Sequence, residues 1–171
     1  VNQLSDGDAC GLDLSEEQLK QLSELAVVVD SGSVVPSVVL PDRDQQTKSL
    51  ESVYSKAELT LVLFWSANCV HCTEEMPRLK EVYNQLHSDG LSVFAINLDE
   101  NKFDFRDYLD ANPLPWTNVT DEGPIKDSEI VKTFNIRKTP SLFLVNESGV
   151  VIAKNLFGNS LTSFLEDYFS K

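Results

Sequence analysis

Leu61-Val62-Leu63-Phe64-Trp65-Ser66-Ala67-Asn68-Cys69-Val70-His71-Cys72 is the stretch from which the fold of this chain is read. An apolar run rich in β-formers ends in a short polar turn, and two cysteines follow where a helix begins. That helix continues through Thr73 to His87, with Leu79, Val82, Tyr83 and Leu86 at helical spacing on one face and Gly90 as its C-terminal cap. Cys69 is thereby expected to lie exposed at a helix N-terminus, where unpaired N–H groups and the helix dipole favour an anion. Such placement lowers a thiol pKa from about 8.5 to roughly 3.5–7.5 in Cys-x-x-Cys motifs. A thiolate with a second thiol one turn away is suited to thiol–disulfide exchange. The same pair is half of a zinc site, but zinc needs four ligands, and only Cys10, His71 and His87 remain as candidates. A purely structural bridge is the other alternative, although such bridges usually join distant segments.

The segment Phe64 to Cys72 resembles the active-site segment of the thioredoxin superfamily. Phe134-Asn135-Ile136-Arg137-Lys138-Thr139-Pro140-Ser141-Leu142-Phe143-Leu144-Val145, about seventy residues on, resembles the segment carrying that family's cis-proline. The resemblance implies that Thr139–Pro140 is the cis bond. Cys72-Thr73-Glu74-Glu75-Met76-Pro77 is similar to the TlpA/ResA group of thiol–disulfide oxidoreductases, whose glutamate and proline are matched by Glu75 and Pro77. The likeness covers Val34 to the C-terminus and implies an extracytoplasmic, periplasmic bacterial address. It also implies cysteine-containing protein substrates, an upstream thiol reductant or oxidant, and a reductant's role such as that toward cytochrome c apoproteins.

At 171 residues the chain can bury a full core as one domain with an extension. A net charge of −13 excludes nucleic acid and anionic lipid surfaces as natural partners, since both need a basic footprint. No apolar run approaches the roughly 18 residues of a membrane span. Of three cysteines, Cys10 is left over, read as a lone thiol in a flexible-looking segment or as one that pairs with another chain or an upstream segment. The chain begins at Val1 without a leader pattern, so a removed signal peptide, membrane anchor or domain is expected upstream.

Residues 1–33 read as an N-terminal helical extension, with Ser15 as N-cap and Leu19, Leu22, Leu25 and Ala26 as the apolar stripe of a helix reaching about Val28. Residues 34–171 read as the redox domain. Strands are expected at Val34-Val35, Ser37–Leu40, Gln46–Lys48, 59–65, 91–98 and Trp116–Val119, with a closing hairpin of Ser141–Val145 and Val150–Ile152. Helices are expected near Leu50–Tyr54, over Lys102–Asp110 with Phe103 inward and Phe105 less so, over Glu129–Phe134, and at the C-terminus on Leu161, Phe164, Leu165 and Tyr168. The alternation gives an α/β, thioredoxin-like fold: a central mixed β-sheet with helices on both faces, plus an extra βα insertion between Asp99 and Asn135.

Cys69 is the expected attacking thiol and Cys72 the resolving one. Thioredoxin-like relatives often place a buried aspartate six residues before the first cysteine; that position is Leu63 here. Glu75, one helical turn from Cys72, is the expected replacement base, with burial raising its pKa. His71, as imidazolium, would stabilise the Cys69 thiolate and make the pair more oxidising, as in DsbA at about −120 mV. That opposes the reductant's role of the TlpA/ResA group, and Val70 departs from the proline of both thioredoxin and DsbA. Trp65 is expected over the disulfide, and with His71, Thr139 and Pro140 it makes the substrate-binding set. A cis Pro140 would offer an extended substrate a β-like pairing edge at Thr139.

The chain therefore reads as a thiol–disulfide oxidoreductase whose redox-active disulfide Cys69–Cys72 needs no further cofactor or metal. Two alternatives stand beside it. A peroxiredoxin-like thiol peroxidase needs a Pro-x-x-x-Thr-x-x-Cys setting, whereas Trp65, Ser66, Ala67 and Asn68 precede Cys69. A redox-fold binding module would present its groove without turnover.

Overall fold

The computed structural model describes residues 10–24 and 29–171, without the side chains of 22–24. The elements are β1 (Cys10–Gly11), α1 (Glu16–Glu24), β2 (Val39–Pro41), β3 (Thr47–Ser49), α2 (Leu50–Tyr54), β4 (Leu59–Trp65) and α3 (Val70–Leu86). They continue with β5 (Leu91–Asn97), α4 (Lys102–Ala111), β6 (Thr117–Thr120), α5 (Glu129–Thr133), β7 (Lys138–Thr139), β8 (Ser141–Asn146), β9 (Val151–Lys154) and α6 (Gly158–Phe169). Five strands form the central sheet in the order β6-β5-β4-β8-β9. β4 pairs in parallel with β5 and antiparallel with β8, so the sheet is mixed, as the expected thioredoxin-like α/β fold requires.

β4 is buried along its whole length and apolar but for Thr60, because both of its faces are covered. Leu59, Leu61, Leu63 and Trp65 enter one core with Met76 and Leu79 of α3, Phe105 of α4 and Leu165 of α6. Val62 and Phe64 enter the other with Leu50 of α2, Val131 of α5 and Phe134. The period of two along the strand thus sorts alternate side chains into two hydrophobic layers. On the second side Phe64 meets Phe134 at 5.0 Å between ring centroids.

Three local expectations are corrected. Of the segment 34–40 only Val39 and Leu40 join a strand, paired with β3, while Val34 makes a single bridge to Val150. Pro36 lies between them and has no N–H to continue a ladder. In α4, Phe103 is 58% exposed and Phe105 is buried. The Asn101 side chain accepts from Phe103 N–H and so fixes the helix start, which directs Phe105 and Leu109, one turn apart, into the core. In α1, Leu19 is exposed and Gln18 is buried. Ser15 Oγ accepts from Gln18 N–H (3.1 Å) while Gln18 Oε1 accepts from Ser15 N–H (3.0 Å), a reciprocal capping box. Gln18 Nε2 also donates to the Ile125 carbonyl (3.0 Å), which ties the helix to the segment before α5. Leu25, Ala26, the expected helix end near Val28 and the side chain of Leu22 lie outside the described residues.

Candidate active site

The C-terminal ends of parallel β4 and β5 lie side by side, with Trp65 opposite Asn97, so the turns after both strands meet. That is where an open α/β sheet presents its sites. Ser66-Ala67-Asn68 forms one turn and Asp99 sits in the other. The Asp99 carboxylate, 5% exposed, accepts from Ser66 Oγ, from Ala67 N–H (2.9 Å) and from Asn97 Nδ2 (2.8 Å). Asn68 Nδ2 reaches the same carboxylate at 3.4 Å and Asp104 Oδ2 at 2.8 Å. A buried carboxylate in low dielectric needs such donors, and here they fix the approach to the cysteines. Sequence reasoning missed Asp99. The available signal was an acidic residue just past the β-run that pairs with β4.

Cys69 is the N-cap of α3, with extended backbone (φ −96°, ψ 112°), and Cys72 lies in its first turn. The structure corrects the expected pairing. Cys69 is bonded to Cys10, 59 residues away, and Cys72 is the free, buried thiol. Cys10 is thus neither a lone thiol nor a partner for another chain. The reason is strand pairing. β1 runs antiparallel to β7 with Cys10 opposite Thr139 and Gly11 opposite Lys138, and Leu12 N–H donates to the Arg137 carbonyl at 3.1 Å. The Thr139–Pro140 bond is cis. Cys69 Sγ lies 3.5 Å from the Thr139 carbonyl oxygen. Cys69 is consequently 3% exposed rather than open to solvent.

Burial pushes the Cys72 thiol up to about 11, with the Asp99 charge adding to it, against the opposing pull of contacts with the Ser66 backbone and the Thr139 side chain. Tyr108, beside it, is also raised, first by burial and then by the Cys72 charge.

Glu75, among the other expected site residues, is engaged elsewhere. Glu75 Oε1 accepts from Gly158 N–H at 2.8 Å, so its carboxylate caps the start of α6 instead of engaging Cys72. Phe157, the N-cap of α6, supplies no side-chain bond of its own, which leaves that donor to Glu75. Trp65 is fully buried, with Phe105 and Tyr108 against its ring at 6.2 and 5.1 Å between centroids, and presents no surface to a substrate. His71 is partly exposed, its Nδ1 3.9 Å from Glu74 Oε2 on the outer face of α3. Thr139 and Pro140 are buried where β1 crosses. Beside the Cys10–Cys69 bridge lies a cavity of about 240 Å³ between Leu12, Asn68, Asp99 and Ile125. Among the described residues, no cluster of three or more His, Cys, Asp or Glu side chains is arranged to hold a metal ion.

The AhpC/TSA family model matches residues 31–154. The thiol-disulfide oxidoreductase ResA of Bacillus thuringiensis is 27% identical over 143 residues, covering 84% of this chain and 79% of that protein. The thioredoxin domain of a thiol-disulfide oxidoreductase from Bacteroides vulgatus superposes with a TM-score of 0.73 at 27% identity, over 82% of this chain and 98% of that one. A thiol:disulfide interchange protein from Bacteroides sp. superposes with a TM-score of 0.72 at 26% identity, over 84% and 92%. These relatives carry exchange activity in their names, which favours exchange over the peroxidase and binding-module alternatives.

Proposed function

The chain belongs to the AhpC/TSA family and is a thiol–disulfide oxidoreductase of the thioredoxin superfamily, and from that premise we propose that Cys69 and Cys72 exchange electrons with cysteine pairs of other proteins, chiefly as a reductant. The observation that carries this reading is the position of Cys69 at the α3 N-terminus, with Cys72 in the following turn and the Thr139–Pro140 segment alongside.

In the dithiol form, the Cys69 thiolate attacks one sulfur of a substrate disulfide and the other sulfur leaves as a thiolate. The Cys72 thiolate then attacks Cys69 Sγ and frees the substrate with both sulfurs reduced. The protein retains a Cys69–Cys72 disulfide, having given two electrons. The second step needs the Cys72 proton removed from a site where burial holds it tightly. Glu75 is engaged with α6, so that proton passes to solvent or to the departing substrate thiolate. Thr139 and Pro140 bind the substrate backbone by strand addition once that edge is free. His71, at the rim, tunes the Cys69 thiolate, and Trp65 supports the pair from below. The ResA likeness supports an extracytoplasmic bacterial setting with cysteine-containing protein substrates and an upstream thiol partner. Among the described residues, no helix is long and apolar enough to cross a membrane.

The test uses insulin as a disulfide substrate with dithiothreitol as electron source. The wild type accelerates reduction, Cys69→Ser abolishes it, and Cys72→Ser accumulates a mixed disulfide through Cys69. A Cys69→Ser protein as fast as wild type would refute the reading. A reduction potential near or below about −250 mV makes the protein a reductant, and one above about −180 mV makes it an oxidant or isomerase governed by His71.

A further inference from the structure

We propose that Cys10 is a third redox-active cysteine and that the Cys10–Leu12 segment is a built-in substrate, held on Cys69 as an intramolecular mixed disulfide that Cys72 resolves. This rests on the exchange reading above and adds a self-directed step to it. The Cys72 thiolate attacks Cys69 Sγ, the Cys69–Cys72 bond forms, the Cys10–Cys69 bond breaks, and Cys10 leaves as a thiolate that takes up the proton Cys72 gave. No external oxidant or reductant is needed, because the two bridged forms contain the same number of electrons.

Three independent features support the assignment. First, β1 adds to β7 as a short antiparallel strand, with Cys10 opposite Thr139 and Leu12 N–H bonded to the Arg137 carbonyl. That is how an extended peptide docks on an exposed strand edge, with main-chain bonds for affinity and side chains for choice. Second, the bridge closes the site: Cys69, Thr139 and Pro140 are all buried, so a protein disulfide cannot reach the nucleophile until β1 departs. Third, the segment is tethered for return. Leu12 and Leu14 pack on the second core, and the Ser15–Gln18 box with its Gln18–Ile125 bond anchors the chain just beyond. A tether of this kind gives Cys10 an effective concentration far above that of a free competitor. Cys72, buried and largely protonated at neutral pH, resolves this bridge slowly, which lengthens the closed state.

The consequence is a redox-gated edge. With Cys10 on Cys69 the groove is filled, and with Cys69 on Cys72, or with all three thiols reduced, β1 is no longer held covalently and a substrate strand can replace it. The sequence of β1 also indicates the substrate it imitates: a cysteine in extended chain, followed by a small residue and then an apolar one.

The test is disulfide mapping of the full chain. The protein is equilibrated over a series of glutathione potentials, acid-quenched, alkylated, digested without reduction and mapped by mass. Both Cys10–Cys69 (Cys72 alkylated) and Cys69–Cys72 (Cys10 alkylated) are expected, in a ratio independent of potential because their interchange is internal. Leu12→Pro, which removes one main-chain donor but keeps all three thiols, shifts the ratio several-fold toward Cys69–Cys72. Oxidised Cys10→Ser accepts electrons from glutathione several-fold faster than wild type, because no covalent bridge holds β1 over Cys69. Finding Cys10 alkylated in every oxidised molecule overturns the proposal, and so does a Cys10–Cys69 bridge that never interchanges with Cys69–Cys72. Insulin reduction by the wild type separates the two levels: a rate no faster than that of Cys69→Ser defeats the exchange reading, whereas a Cys69-dependent rate with a single unchanging bridge defeats only the self-substrate step.

Discussion

Replacing Glu75 separates two roles for one carboxylate. In this structure Glu75 Oε1 accepts from Gly158 N–H at 2.8 Å, in the first turn of α6, where the N-cap Phe157 offers nothing. Glu75→Ala leaves that donor unpaired at a partly buried helix end. An unsatisfied buried donor costs about 1–3 kcal/mol, and loss of the anion at the helix N-terminus costs about 0.3–1 kcal/mol more. At roughly 2–4 °C per kcal/mol for a chain of this size, a loss near about 2 kcal/mol lowers Tm by roughly 4–8 °C. Glu75→Gln keeps an acceptor oxygen in place and sheds only the charge, so its Tm falls by a small part of that. The discriminating assay is the rate at which Cys72 resolves a preformed mixed disulfide on Cys69. A cap predicts that Glu75→Gln resolves at close to the wild-type rate. A base acting on Cys72 predicts a loss of about 10²-fold or more in both variants. A Glu75→Gln protein with unchanged Tm and a resolving step slowed a hundredfold would refute the cap.

The remaining predictions address the thiols and the turns. The folded-state pKa of Cys72 is raised from 9.0 to about 11, so the stability linked to this thiol is full below pH 9 and is lost as pH rises through 11. At 1.36 kcal/mol per pH unit the loss is about 2.7 kcal/mol; the difference in unfolding free energy between wild type and Cys72→Ser, measured at pH 8 and pH 11, should narrow by that order, and a constant difference would contradict the burial argument. Asp99→Asn removes a charge that opposes Cys72 ionisation, so the loss should be smaller and complete at lower pH, and a larger loss running to higher pH would argue against Asp99 as that neighbour. Ser15→Ala opens the capping box of α1 at a cost of about 1 kcal/mol, and hydrogen exchange at the Gln18 amide should accelerate accordingly. Gly90 closes the turn after α3 at φ 114°, where a Cβ would also come within 2.9 Å of Glu58 Cγ; Gly90→Ala should cost at least about 1–2 kcal/mol, read from denaturant midpoints, and a neutral result would mean that the turn rearranges freely.

What the sequence made legible was local. The apolar run of β4, the cysteine pair at the start of α3, the Gly90 cap and the hairpin of β8 and β9 each follow from residues within one turn or one strand of each other. What stayed hidden depends on register between distant segments. Cys10 meets Cys69 only because β1 lies on β7, and no periodicity near Cys10 announces a two-residue strand. Asp99 meets Ser66 and Ala67 only because β4 and β5 run parallel in register, 33 and 32 residues apart. Glu75 reaches Gly158 across 83 residues. Helical spacing allowed Glu75 to face Cys72, but an unpaired N–H at the head of α6 competed for the same carboxylate and took it. Gln18 replaced Leu19 on the inner face of α1 for a related reason: the capping box and the Ile125 carbonyl satisfy every polar atom that its burial would otherwise strand.

Asp99 ties the architecture of the site to its chemistry. Two of its donors, Ser66 and Ala67, come from the turn that leads into Cys69, so the carboxylate holds that turn in place, and it stays buried because its donors satisfy it. The same fixed negative charge opposes ionisation of Cys72. An asparagine there would relieve Cys72 but would give back a neutral acceptor and a surplus N–H₂ donor, facing Ala67 N–H and Asn97 Nδ2, which are donors already. The turn would loosen as Cys72 became easier to ionise. Positioning Cys69 and slowing Cys72 are therefore coupled through one side chain. A site that is to hold a mixed disulfide long enough to select its partner benefits from both effects at once.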